Sequence, residues 1–131
     1  PAETGKTMSR PPRWDKRPPS ERKTFVIFIV VKFKTKPEWS ERWVDLTRSF
    51  TEKTRQEPGN LWFEWSRSVE DPNEFTLVEA FEDDAGEAHV NSEHFQRAMQ
   101  EMRQALAETP RIISRQVEGN AWDRMGELKI D

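Results

Sequence analysis

TFVIFIVVKFK, residues 24–34, is the stretch on which the reading of the fold turns. β-Branched and aromatic residues follow one another with no helix-period gap, so the segment is a strand. Alternation puts Phe25, Ile27, Ile29, Val31 and Phe33 on one face and Val26, Phe28 and Val30 on the other. Both faces are apolar, so the strand is covered from both sides.

After it, Pro37 opens a helix. Proline suits the first turn, where its missing N–H costs nothing, and Glu38 and Glu41 sit at the positive end of the dipole. Trp39, Trp43, Leu46 and Phe50 recur at helical spacing to about Gln56, and Pro58-Gly59-Asn60 stops the run. Leu61–Val69 is a second strand and Glu74–Glu82 a third, joined by the turn Asp71-Pro72-Asn73. A short helical piece follows at Ala85–Val90. A longer helix starts near Asn91 or Ser92 with the stripe Phe95, Met99, Met102 and Leu106, and Pro110 ends it. Arg111–Glu118 is a fourth strand. The order β-α-β-β-α-β defines an α+β chain of ferredoxin-like type. Helices cover one face of such a sheet, so the doubly apolar first strand predicts a second copy over the other face, a homodimer.

At 131 residues the chain has room for one domain. Residues 24–118 form it, between an arm at 1–23 and a second arm at 119–131. The first 24 residues hold five of the nine prolines and a charge of +4, whereas residues 25–131 carry −7. Pro1–Thr7 read as an addition ahead of Met8. The acidic body argues against nucleic acid as a partner. The basic first arm is expected to be a solvated arm or to pack on that body or on a partner subunit. The second arm, with Trp122, Met125, Leu128 and Ile130, is expected to pack on something. There is no cysteine, which excludes a thiolate metal site, a cysteine nucleophile and a disulfide scaffold. No apolar run reaches membrane-spanning length and no secretory h-region is visible, so the expected compartment is the cytoplasm.

Three features carry chemistry. Glu79 lies mid-strand on the same face as Phe75, Leu77 and Phe81. A carboxylate there is costly unless paired, and it is read either as a structural ion pair or as a pocket acid or base. His89 and His94 are the only histidines. Histidine moves protons near neutral pH. Five residues apart, the two do not make the ligand pair of a continuous helix, and no third ligand is evident, so no metal is expected. The third feature is the aromatic supply of six Trp and eight Phe without Tyr. Trp39 and Phe50 are read as packing. Trp43, Trp62, Trp65, Phe81 and Phe95 are candidate walls for a flat apolar ligand. There is no GxGxxG, Walker A, GxSxG or HExxH pattern, so no nucleotide or flavin site is expected.

These residues resemble the antibiotic biosynthesis monooxygenase family. The element order carries the resemblance, together with Glu57-Pro58-Gly59-Asn60-Leu61, Val78-Glu79-Ala80-Phe81-Glu82 and His89-x-x-Ser92-x-His94-Phe95, over about residues 24–118. It implies a dimeric α+β barrel with a pocket between sheet and helices in each subunit. Among the family's activities, it points to a cofactor-independent monooxygenase acting with O₂ on an aromatic quinol or polycyclic phenol. His94 would then be the base, Glu79 its orienting group and His89 a reserve. Haem-degrading relatives use a helix histidine and a third-strand Trp. The aligned positions here are Met99 and Phe81, so haem is not expected. A related group isomerises a phosphorylated sugar signal. Trp62 stands where that group's second strand has an Arg, which favours an apolar ligand. The alternatives are a cofactor-free isomerase of such a small phosphorylated sugar-like signal and a non-catalytic small-molecule-binding dimer.

Overall fold

The computed structural model describes residues 24–131 together with Trp14, Lys16 and Pro18. The expectations for the arm at 1–23 lie almost wholly outside the described residues. The elements are β1 (Phe25–Lys34), α1 (Trp43–Arg55), β2 (Asn60–Arg67), β3 (Glu74–Glu82), α2 (Gly86–Val90), α3 (Glu93–Arg103) and β4 (Arg111–Glu118). They form one antiparallel sheet in the order β2-β3-β1-β4. This is the expected ferredoxin-like α+β arrangement.

Two boundaries differ from the sequence reading. Pro37–Arg42 is a separate 3₁₀ segment, and regular α-helix begins only at Trp43. The third helix stops at Arg103 rather than running on towards Pro110. The following turn buries Ala105 and docks Leu106 as a bridge to Thr35 at the end of β1. That tertiary contact outweighs the helical spacing of Leu106.

α1 and α3 lie on one face of the sheet. The core between them gathers Val31 and Phe33 of β1, Trp43 and Phe50 of α1, Phe63 of β2, Phe75 and Leu77 of β3, and Ala98 and Met102 of α3. Trp43, 1% exposed, sits at its centre with its ring centroid 5.3–5.8 Å from those of Phe33, Trp65 and Phe75. Such tilted, edge-on and stacked pairs add a fraction of the stabilisation that their buried area supplies.

Among the described residues no helix lies over the other face of the sheet, although Val26, Ala80 and Glu82 on it are buried. Val30 pairs there with Val78 and Ile113, and Val26 with Val117. Ile113 is 58% exposed and every residue of β4 is exposed. Trp62 also lies on this face, with its ring 5.3 Å from Trp122 of the C-terminal arm. Beyond that contact the arm leaves Trp122, Met125, Leu128 and Ile130 exposed.

Candidate functional site

At one end of the sheet, where β3 finishes and β2 begins, three connections meet. The α1–β2 turn carries Glu57. Its backbone is closed by bonds from Glu57 N–H to Thr54 C=O (3.0 Å) and from Asn60 N–H to Glu57 C=O (3.1 Å), and Glu82 N–H of β3 donates to Gly59 C=O (2.8 Å). Gly59 is required by close approach. A Cβ there would lie 2.2 Å from Cβ of Ala85, which precedes α2. The turn and α2 therefore press directly against each other, which brings Glu57 to His89.

Ser92 fixes the second joint. Its hydroxyl donates to His89 C=O (2.7 Å) and accepts from Phe95 N–H (3.2 Å), so it caps α3 while tying that helix to α2. His89 on α2 and His94 in the first turn of α3 then converge on one atom. His89 Nδ1 is 2.8 Å and His94 Nε2 2.5 Å from Glu57 Oε2. Burial pushes the Glu57 carboxyl up. The hydrogen bonds from His89 and His94, with the charges of those rings, more than offset this and hold it below the ordinary glutamate range. Glu57 is thus an ionised acceptor, and each of the two facing nitrogens carries its proton. In a neutral His89 the lone pair is then on Nε2.

That second nitrogen points to Glu79. His89 Nε2 lies 4.0 Å from Glu79 Oε1. Glu79 is 6% exposed, and its Oε1 has no hydrogen-bond partner among the described residues. Burial, followed by the nearby Glu57 charge, pushes its carboxyl up to about 8. It is therefore mostly a neutral acid at pH 7. Aromatic rings enclose the cluster. Phe81 is 4.4 Å from the His89 ring, Phe95 is 5.0 Å from it, and Phe50 covers both imidazoles at 5.9 and 6.3 Å.

The structure brings together His89, His94, Glu79, Phe81 and Phe95 of the residues singled out from sequence, and Phe50 joins them. Trp43 lies in the core and Trp65 packs, partly buried, against it, with Phe33 and Phe63. Trp62 is on the opposite face of the sheet. The residue that sequence reasoning missed as a site group is Glu57, the third member of the cluster. Further along α3, a cleft of about 400 Å³ opens between Phe33 of β1 and Met99, Met102 and the 103–110 turn.

This fold, with a buried acid–base cluster beneath its helices, defines a class of small ferredoxin-like α+β proteins. The chain belongs to the antibiotic biosynthesis monooxygenase family, whose model matches residues 26–101. Among solved structures, an antibiotic biosynthesis monooxygenase is 27% identical with a TM-score of 0.63, over 68% of this chain and 95% of the other. A conserved protein of Methanosarcina mazei Go1 is 25% identical with a TM-score of 0.67, over 70% and 92%. A protein of Nitrosomonas europaea assigned provisionally to the same family is 25% identical with a TM-score of 0.66, over 69% and 88%. No curated protein matches the chain. Among the described residues, no helix is long and apolar enough to cross a membrane.

Proposed function

We propose that this chain is a monooxygenase that oxidises an electron-rich aromatic small molecule, a quinol or polycyclic phenol, with O₂ and without a resident organic cofactor. The observation that carries this reading is the pair of imidazoles held on one buried carboxylate. Triplet O₂ reacts slowly with closed-shell molecules, whereas a phenolate can pass an electron to it directly. The protein's task is then to take the phenolic proton, hold the anion beside O₂ and exclude water. His94 is the base, being the more accessible of the two histidines. Glu57, rather than Glu79, orients it and stabilises the imidazolium that forms. The cleft along α3, lined by Phe33, Met99, Met102 and Leu106, accepts the ring system, with Met99 lying one turn beyond Phe95 on the same helix.

The active unit is a homodimer. Its support is the sheet face that carries Phe28, Val30, Val78, Ile113 and Val117, over which no helix lies among the described residues.

Oxygen uptake by metal-stripped, haem-free protein with dihydroxynaphthalenes and anthrones tests the reading. Uptake above autoxidation is expected, falling about 10²–10⁴-fold in His94→Ala. Uptake no faster than autoxidation across the panel, or unchanged in His94→Ala, would overturn it.

A further inference from the structure

We propose that Glu57, His89 and His94 are also the three protein ligands of a divalent first-row transition-metal ion. One donor atom from each of the three residues lies within 4.8 Å of the other two, and His89 Nδ1 and His94 Nε2 are the nitrogens that meet Glu57 Oε2. They come from three separate elements, the α1–β2 turn, α2 and α3, each fixed by the contacts described above. Two imidazoles and one carboxylate make a nitrogen-rich donor set. That set suits zinc, iron(II), cobalt or nickel and does not suit magnesium or calcium, which take oxygen. Three protein ligands leave coordination positions open for water or substrate. Glu57 and His94 keep 14% and 17% of their side-chain surface exposed, which gives an ion a way in.

Glu79 supplies an independent observation. Metal-bound histidines generally donate their other ring N–H to a carboxylate or carbonyl. As the structure stands, Glu57 accepts the hydrogen bond of His89 Nδ1–H, Nε2 carries the lone pair, and Glu79 Oε1 beside it has no hydrogen-bond partner among the described residues. When Nδ1 gives its lone pair to a metal ion, the neutral ring must carry its proton on Nε2, which faces that oxygen. A closing of about 1 Å from the observed 4.0 Å makes the hydrogen bond. One tautomer change thus satisfies a buried acceptor and completes the support of a ligand. Seating the ion also asks little of the ligands. Metal–ligand bonds of about 2.0–2.2 Å set neighbouring donors roughly 3 Å apart, so Glu57 shifts back by less than about 1 Å. An ion held there takes His94 Nε2 and the Glu57 oxygen, the two atoms whose hydrogen bond steadies the base in the oxygenase reading, so occupancy and metal-free turnover exclude each other.

The experiment is a calorimetric titration of chelator-stripped, untagged full chain with zinc chloride, without substrate. It is followed by imidazole NMR, in which two histidines give an unambiguous spectrum. One zinc per chain is expected at a Kd of about 1 µM or tighter, with both imidazole signals shifting. Glu57→Gln and His94→Gln should each weaken binding at least tenfold, and Glu79→Leu roughly tenfold. Absence of saturable binding at about 100 µM zinc would overturn the proposal. So would unmoved imidazole signals, or equal binding by a folded Glu57→Gln. The NMR arm uses the wild type, so a variant that fails to fold does not remove the test. Because neither arm needs substrate or oxygen, failure here is distinguishable from failure of the oxygenase reading.

Discussion

Replacing Glu79 by Gln should make the protein more stable at neutral pH and leave it almost unchanged at acid pH. The carboxyl is raised from an ordinary 4.5 to about 8 by burial and by the Glu57 charge. Below pH 4.5 it is neutral in both the folded and the unfolded chain, so its ionisation does not affect stability. Between 4.5 and 8 the unfolded chain releases the proton and the folded chain retains it. Each pH unit in that window therefore removes about 1.4 kcal/mol of folding stability. From pH 5 to pH 7 the loss is about 3 kcal/mol, which for a domain of this size is on the order of 10 °C in melting temperature. The Gln side chain fills the same space without that proton equilibrium. The assay is urea or thermal unfolding followed by fluorescence of Trp43 and Trp65. It is run from pH 5 to 8 with chelator present and at fixed protein concentration, since an oligomer or a bound ion would shift the midpoint. Wild type and Glu79→Gln should coincide near pH 5 and diverge steadily above it, with the variant the more stable. Parallel curves across the range would refute the assignment of Glu79 as a buried neutral acid.

Gly59→Ala drives a methyl group into Ala85, so it should lower the melting temperature by about 5 °C or more and displace Glu57. The check is thermal unfolding together with the two imidazole NMR signals, which should move from their wild-type positions. Ile113→Lys puts a charge on the sheet face opposite the helices, at a position that is 58% exposed. It should convert the proposed dimer to a monomer by light scattering at micromolar concentration, and a wild type that is already monomeric removes the dimer from the proposed function.

The sheet and its helices were legible because their patterns are local. β1 announces itself as an unbroken run of β-branched and aromatic residues, and Trp43, Leu46 and Phe50 keep a 3.6-residue period. Glu79 was legible for the same reason, as a carboxylate that interrupts an apolar alternation. The histidines were conspicuous because the chain has only two. Glu57 was not legible as a site residue. It stands in the polar run Arg55-Gln56-Glu57 at a helix end, one of many acidic residues in the chain, and the motif Glu57–Leu61 marks a turn rather than a reactive carboxylate. Its role arises from closure over 32 residues to His89 and 37 to His94. The signal available was indirect: the tight Pro58-Gly59 turn, whose glycine is required only once Ala85 is placed against it. The walls divided for a similar reason. Strand alternation separates Trp62 from Phe63 and Trp65, but the choice of face for a ligand belongs to the packing of α1 and α3.

α2 is five residues long, too short to hold helical form in water by itself. What keeps it wound is tertiary: the Ala85 contact with Gly59, the Ser92 hydroxyl on His89 C=O and the bond from His89 to Glu57. The last of these is also a bond of the reactive cluster. A proton taken up at His94 changes the charge facing Glu57 and so alters the strength of a structural fastening, and the segment from Gly86 to Asn91 becomes the local reporter of the cluster's charge state. Amide exchange in that segment should follow the chemistry residue by residue, with the rest of the sheet as an unmoving reference.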